Sequence, residues 1–276
     1  TIKIGIKQMK RWLKITIWSV FSLTVMILLY LSQKAQDEVV LDKPEIEIHV
    51  KGDAYFITEE EILTDLEFHQ LWTKGVKAGE LNVAGIEKYL SEISQVKEVK
   101  VFKKLGGEWK IDLTTRKPIA RIFNRYGETF YLDDEGIVMD ISDQHAARIL
   151  VVTGDVVDRR EDGNVDKIIN NDSLKSIRNL DDIYRISNYV CNDPLFHSLI
   201  GQIHLEKNGD YVLIPIVGDQ KIIFGAALSE EIVEEKFKKL KIFYNEAIPY
   251  EGWNEYSEIS LKFKDQIVCK KKKTDG

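Results

Sequence analysis

Charged residues vanish between Ile15 and Leu31, where the chain reads ITIWSVFSLTVMILLYL, seventeen residues without a charge. As a helix that run is about 25 Å long, and with Trp12, Leu13 and Ser32 it approaches the ~20 residues of a membrane span. Beyond it the pattern changes period several times. EIEIHV (45–50) alternates as a strand. Thr58 with Glu61 three residues on marks a capping box, and a second helix starts near Asn82 with Ile86, Leu90 and Ile93 on one face. Val99 and Val101 then share one strand face, Gly106-Gly107 turns the chain, and Trp109, Ile111 and Leu113 share a face on the return. Strand, helix, helix, strand, strand predicts a small α+β unit with two helices on one face of a three-stranded sheet.

Pro118 lacks a backbone donor and marks a break. After it come the strand-like runs IARIFN, ETFYLD, GIVMDI and ARILVVTG, the first three separated by RYG and DDEG turns. The polar stretch 155–176 reads as loop, and a helix over 177–190 stops at NDP (192–194). Residues 201–225 predict a meander, with Asn208-Gly209 and Gly218-Asp219 as hairpin turns. A long helix over 229–245, capped by Ser229, carries the stripe Val233, Phe237, Leu240 and Tyr244. In EISLKFKDQIV (258–268), Ile259, Leu261 and Phe263 alternate with Ser260, Lys262 and Lys264, which predicts one half-buried terminal strand. Such a strand at a sheet edge leaves backbone donors and acceptors open to a partner.

Charge gives the apolar run an orientation. Residues 1–32 hold Lys3, Lys7, Lys10, Arg11 and Lys14 and no acid, while Asp37, Glu38 and Asp42 follow the run. The positive-inside rule then places the N-terminus in the cytoplasm and the remainder outside, with an uncleaved anchor favoured over a cleaved signal peptide. Of the 276 residues, those after the span carry 34 basic against 45 acidic side chains, a net of −11, which argues against a nucleic-acid-binding body. Thr1 in place of Met leaves the natural N-terminus open. The two cysteines, Cys191 and Cys269, form no C-x-x-C pair; either two buried thiols or one bridge fits them.

Chemistry is sparse. His49, His69, His145, His197 and His204 have no metal-binding spacing, and no nucleotide-binding or nucleophile-elbow motif occurs. Ser94-Gln-Val-Lys97 fits S-x-x-K but lacks its companion motifs. DGNVDK (162–167) begins like a calcium loop, yet Lys167 stands where Gly is needed and Ser173 where Glu is needed. DDEG (133–136) is hairpin chemistry, and Lys270–Lys273 keeps an exposed end soluble. No catalytic, cofactor or metal residue is assigned. An anchored binding or scaffold protein is the leading reading, and a membrane-anchored extracytoplasmic cell-wall enzyme is the alternative. A docking module for outer-membrane or secretion machinery would repeat the small unit, of which one copy is readable.

Two stretches carry a resemblance. RKPIARIFNRYGETFYLDDEGIVM (116–139) resembles the R-x-P-x-A run and following Y-L-x-D segment of the bacterial division family FtsQ/DivIB, and LKFKDQIV (261–268) resembles its terminal L-x-[YF] strand. RILVVTG (148–154) is similar to the family's L-P-x-x-x-G region without the proline. The resemblance implies a cytoplasmic stub (1–14), a transmembrane helix (15–32), a stalk (33–43), a POTRA-like domain (44–117), a strand-rich β domain with flanking helices (118–269) and a basic tail (270–276). It further implies a non-enzymatic, single-pass divisome scaffold of the inner membrane. Its partners would be the coiled-coil proteins FtsB and FtsL and, through them, the septal synthase pair FtsW and FtsI. A tail strand of FtsB would add alongside the last strand of the β domain, which assigns partner contacts to Ser257, Ser260, Lys262, Phe263, Lys264, Gln266 and Val268.

Overall fold

The computed structural model describes the whole chain except residues 1, 53–55, 105, 143–147, 176 and 273–276, and no side chain is described for 2–11, 162 and 172. His145 and Lys273 therefore lie outside the described residues. Helix α1 (Ile2–Asp37) contains the apolar run, and among the described residues it alone is long and apolar enough to cross a membrane.

The chain separates into two compact units, the second made of residues 114–276 with 49–57 and 93–97. The first is built from β1 (Glu45–His49), α2 (Glu59–Phe68), α3 (Val83–Ser91), β2 (Val96–Lys103) and β3 (Trp109–Thr115), in a sheet ordered β1-β3-β2. Thr58 and Glu61 close the capping box at α2, with reciprocal bonds of 3.2 and 2.8 Å. The face of β3 read from the sequence is the buried one, with Trp109, Ile111 and Leu113 all inside.

The second unit is a nine-stranded mixed sheet. Its strands are β4 (Pro118–Phe123), β5 (Thr129–Asp133), β6 (Val138–Met139), β7 (Leu150–Gly154), β8 (Ile200–Leu205), β9 (Tyr211–Pro215), β10 (Lys221–Gly225), β11 (Tyr256–Ser260) and β12 (Val268–Lys271). They lie in the order β12-β11-β10-β9-β8-β7-β4-β5-β6. Hairpins supply the antiparallel neighbours, while β4/β7, β7/β8 and β10/β11 pair in parallel. At the β7/β8 crossing Gly154 sits at φ 103°, where a Cβ would fall 2.1 Å from the carbonyl oxygen of Leu205. Glycine is what allows the strands to approach there.

Residues 155–176 depart from the loop expected of them. They hold a 3-10 turn (Arg160–Asp162) and two short helices, α4 (Val165–Ile169) and α5 (Asp172–Lys175), with Val156, Val165 and Ile168 buried. Each element is too short for a helical period to repeat. Asn164, read as part of an incomplete calcium loop, accepts from the Lys167 N–H at 3.2 Å and caps α4. The following helices are α6 (Leu180–Asn192) and α7 (Pro194–Leu199), with Asp193 capping α7. Helix α8 (Glu230–Ile242) buries Val233, Phe237 and Leu240, then runs through a π-helical turn (Phe243–Ala247) into α9 (Ile248–Glu251). Pro249 has no N–H for the α-helical ladder, and the wider turn accommodates it. It also points two consecutive residues at neighbours: Phe243 meets Tyr256 and Tyr244 meets Trp253.

The R-x-P segment and the DDEG turn meet in this unit. Arg116 donates to the fully buried Asp133 at 2.9 Å, and Asp133 also accepts from the N–H groups of Glu135 and Ile137. Burial raises the Asp133 carboxyl above its ordinary range, against the lowering effect of these donors. Arg116→Ala removes the one cationic donor but leaves both N–H bonds, so a loss of about 2 kcal/mol is expected in chemical denaturation.

Candidate partner-binding edge

Ile259 and Leu261 are fully buried, and Ile259 pairs with Ile222 of β10 in parallel register. The strand expected to continue through Val268 stops after Ser260. Phe263 does not face the core: it is 48% exposed. Lys239 of α8 explains the stop. Its Nζ donates to the carbonyl oxygens of Phe263 (3.0 Å) and Lys264 (2.7 Å), taking acceptors that a continued ladder would use. The chain bends through 263–265 and returns as β12, antiparallel to β11, with Ser260 opposite Val268, Ile259 opposite Cys269 and Glu258 opposite Lys270.

This reversal moves the open edge. β11 has neighbours on both sides, whereas among the described residues β12 ends the sheet. The Lys272 N–H donates to the Glu255 carbonyl, and the Lys270 carbonyl accepts from Ser257 Oγ. Residues 268, 270 and 272 therefore turn their backbone groups toward β11, and by alternation Cys269 and Lys271 turn theirs to the open side.

Beside the β11–β12 bend, Leu228, Ile232 and Phe263 line a groove of about 320 Å³. They are 70%, 37% and 48% exposed, an apolar strip in an otherwise charged surface. Lys236, Lys239, Lys262 and Lys264 also line it, with Glu235 the only acid. Two of these cations are committed: Lys239 holds the bend, and Lys236 donates to the carbonyls of Phe224 (2.7 Å) and Ala226 (2.6 Å). Burial, reinforced by Lys239, pushes the Lys236 ammonium below its ordinary range. Lys262 pairs with Asp210 at 2.6 Å, and Lys264 has no ion-pair partner among the described residues.

A family model described as "FtsQ/DivIB, C-terminal related" matches residues 117–270, and one described as "POTRA-like domain" matches residues 41–114. The chain belongs to the FtsQ/DivIB family. No curated protein matches it. The first match spans the whole nine-stranded sheet except the last residue of β12, and the second covers the three-stranded unit almost to the end of β3. With α1 ahead of both, this is a single-pass membrane protein of mixed α+β architecture and a division-related scaffold.

Against that background the residues read as partner contacts separate. Ser257 and Ser260 lie in an interior strand, and the Ser257 hydroxyl is engaged by Lys270 at 3.1 Å. Lys262, Phe263, Lys264 and Gln266 lie on the exposed bend, and Val268 opens the edge strand. Cys269, read as a thiol, and Lys270 and Lys271, read as a solubilising tail, belong instead to this edge strand, and no sequence pattern singles out Leu228 or Ile232. The alternation of Ile267 and Cys269, both packed against the core, was a trace of β12, but the lysine run obscured it. Both cysteines are free thiols. Ser94 exchanges hydrogen bonds with Asp140, while Lys97 pairs with Glu135, so the S-x-x-K match brings no nucleophile and base together.

Proposed function

We propose that this FtsQ/DivIB-family protein is a non-enzymatic scaffold that captures an extended segment of FtsB, and FtsL with it, along the open edge of β12. Through them it would support the septal synthase pair FtsW and FtsI. The open backbone of β12 at the end of the sheet is the observation that carries this reading. β-augmentation takes affinity from main-chain hydrogen bonds and specificity from side-chain pockets. The groove of Leu228, Ile232 and Phe263 supplies an apolar pocket, and Lys264 supplies a cation for an acidic partner residue. The cations before the span and the acids after it support a cytoplasmic N-terminus and an extracytoplasmic body, and the family match supports a place in the inner membrane at the septum.

Hydrogen exchange on the full chain in lipid nanodiscs, with and without the extracytoplasmic part of FtsB, tests the edge. New protection is expected at Cys269 and Lys271, with β11 already protected in the free protein. Complex formation without added protection in β12 would overturn the reading. Phe263→Ala is expected to weaken FtsB binding roughly tenfold to a hundredfold, as loss of an aromatic anchor does. The melting temperature should hold, because Phe263 lies outside the core.

A further inference from the structure

Away from the β12 edge, α6 and α8 frame a groove of about 400 Å³. Asn188 and Asn192 line it from α6, Glu230 and Glu234 from α8, each pair one helical turn apart and so in a row facing the cleft. Tyr189 lies flat on Phe237, with ring centroids 4.4 Å apart and planes within 2°. Phe237 is fully buried and Tyr189 half-buried, so the stack fixes the Tyr189 ring in the wall of the groove.

The charge in this groove is mostly negative. Asp193, Glu230 and Glu234 line it against Arg185, whose guanidinium is taken by Asp181 and Asp182 at 2.6 Å each. Lys241 holds Asp193, and Lys238 meets Glu234 in an exposed, solvent-screened pair. Glu230 has no ion-pair partner among the described residues. Tyr184 lines the groove as well, and the hydroxyls of Tyr184 and Tyr189 are both raised above their ordinary range, first by burial. Neighbouring carboxylates add to this: Asp193 and Glu234 at Tyr189, where Lys241 and Lys238 oppose them, and Asp133, Asp134 and Glu230 at Tyr184.

We propose that the α6–α8 groove docks an arginine-bearing segment of a partner protein, with the guanidinium laid on Tyr189 and paired to Glu230 or Glu234. A planar guanidinium can stack on the ring and present two parallel N–H donors to a carboxylate, which the compact ammonium of lysine cannot do. Two carboxylates one turn apart would accept two basic residues of one extended or helical segment. This surface is separate from the β12 edge, so it could be occupied while that edge holds its own partner.

The test titrates the full chain in nanodiscs with a short uncharged-backbone peptide carrying two arginines, and with versions carrying lysine or glutamine in their place. The arginine peptide is expected to bind most tightly. The double substitution Glu230→Gln and Glu234→Gln, at exposed positions that do not touch the core, should weaken it at least roughly tenfold, the loss of a charge-assisted pair. FtsB capture by the same variant should be unchanged, which separates a failure here from a failure at the edge. Equal binding of the glutamine peptide, no response to the double substitution, or no arginine-peptide binding at millimolar concentration would each overturn the proposal.

Discussion

Lys271→Pro is expected to weaken capture of the FtsB segment about a hundredfold while the protein melts at the wild-type temperature. Proline deletes one backbone N–H, and at position 271 that donor faces the open side of β12 rather than β11. Edge strands tolerate proline where the donor faces solvent, so the fold keeps its ladder. The incoming strand loses a main-chain bond and meets the pyrrolidine ring, for an expected loss of about a hundredfold in affinity, close to 3 kcal/mol. Lys270→Pro is the informative counterpart. Its N–H faces β11, so it should release β12 and lower the melting temperature as well as binding. Calorimetric titration and thermal melts on the two variants decide the matter; similar binding losses with similar melts would show that β12 is not the docking edge.

The largest stability effect is expected at Arg185. Its side chain is 10% exposed and lies between Asp181 and Asp182, with a third bond of 3.0 Å to the Ala227 carbonyl. It ties α6 to the segment between β10 and α8. Arg185→Ala leaves the buried Asp181 and the partly buried Asp182 without a cation, at a cost of about 3 kcal/mol. The pH dependence has a definite sign. Asp182 is already raised above its ordinary range, first by burial and then by Asp181, with Arg185 opposing. A carboxyl raised in the folded state holds its proton longer than in the unfolded chain, so its contribution favours folding at low pH and is lost as pH rises through the folded value. Without Arg185 that shift grows. The variant's deficit should therefore shrink as the pH is lowered from 7 toward 5, as followed by urea denaturation. A deficit that widened with acid would contradict the account.

What could be read locally in this chain was read well, and the reason is physical. The apolar run of α1, the capping box of Thr58 and Glu61, the inward face of β3 and the stripe of α8 rest on spacings of two to four residues, which backbone geometry sets without distant contacts. The i,i+4 pairs Glu234–Lys238 and Glu235–Lys239 follow from the same rule and are present at 2.7 and 3.5 Å. The short helices α4 and α5 fell below that resolution. The docking edge depended on something the alternation of Ile259, Leu261 and Phe263 does not contain. Whether the strand continues past Ser260 is decided by Lys239, which reaches from α8 to the carbonyls of Phe263 and Lys264. Whether β11 is an edge is decided by β10 on one side and the returning β12 on the other. The sequence by itself determined the membrane helix, the two-unit order and, Phe263 apart, which face of each periodic element turns inward, because those follow from local periodicity. Only the tertiary structure decided which backbone groups remain open for a partner, because strand pairing is set by segments far apart in the chain.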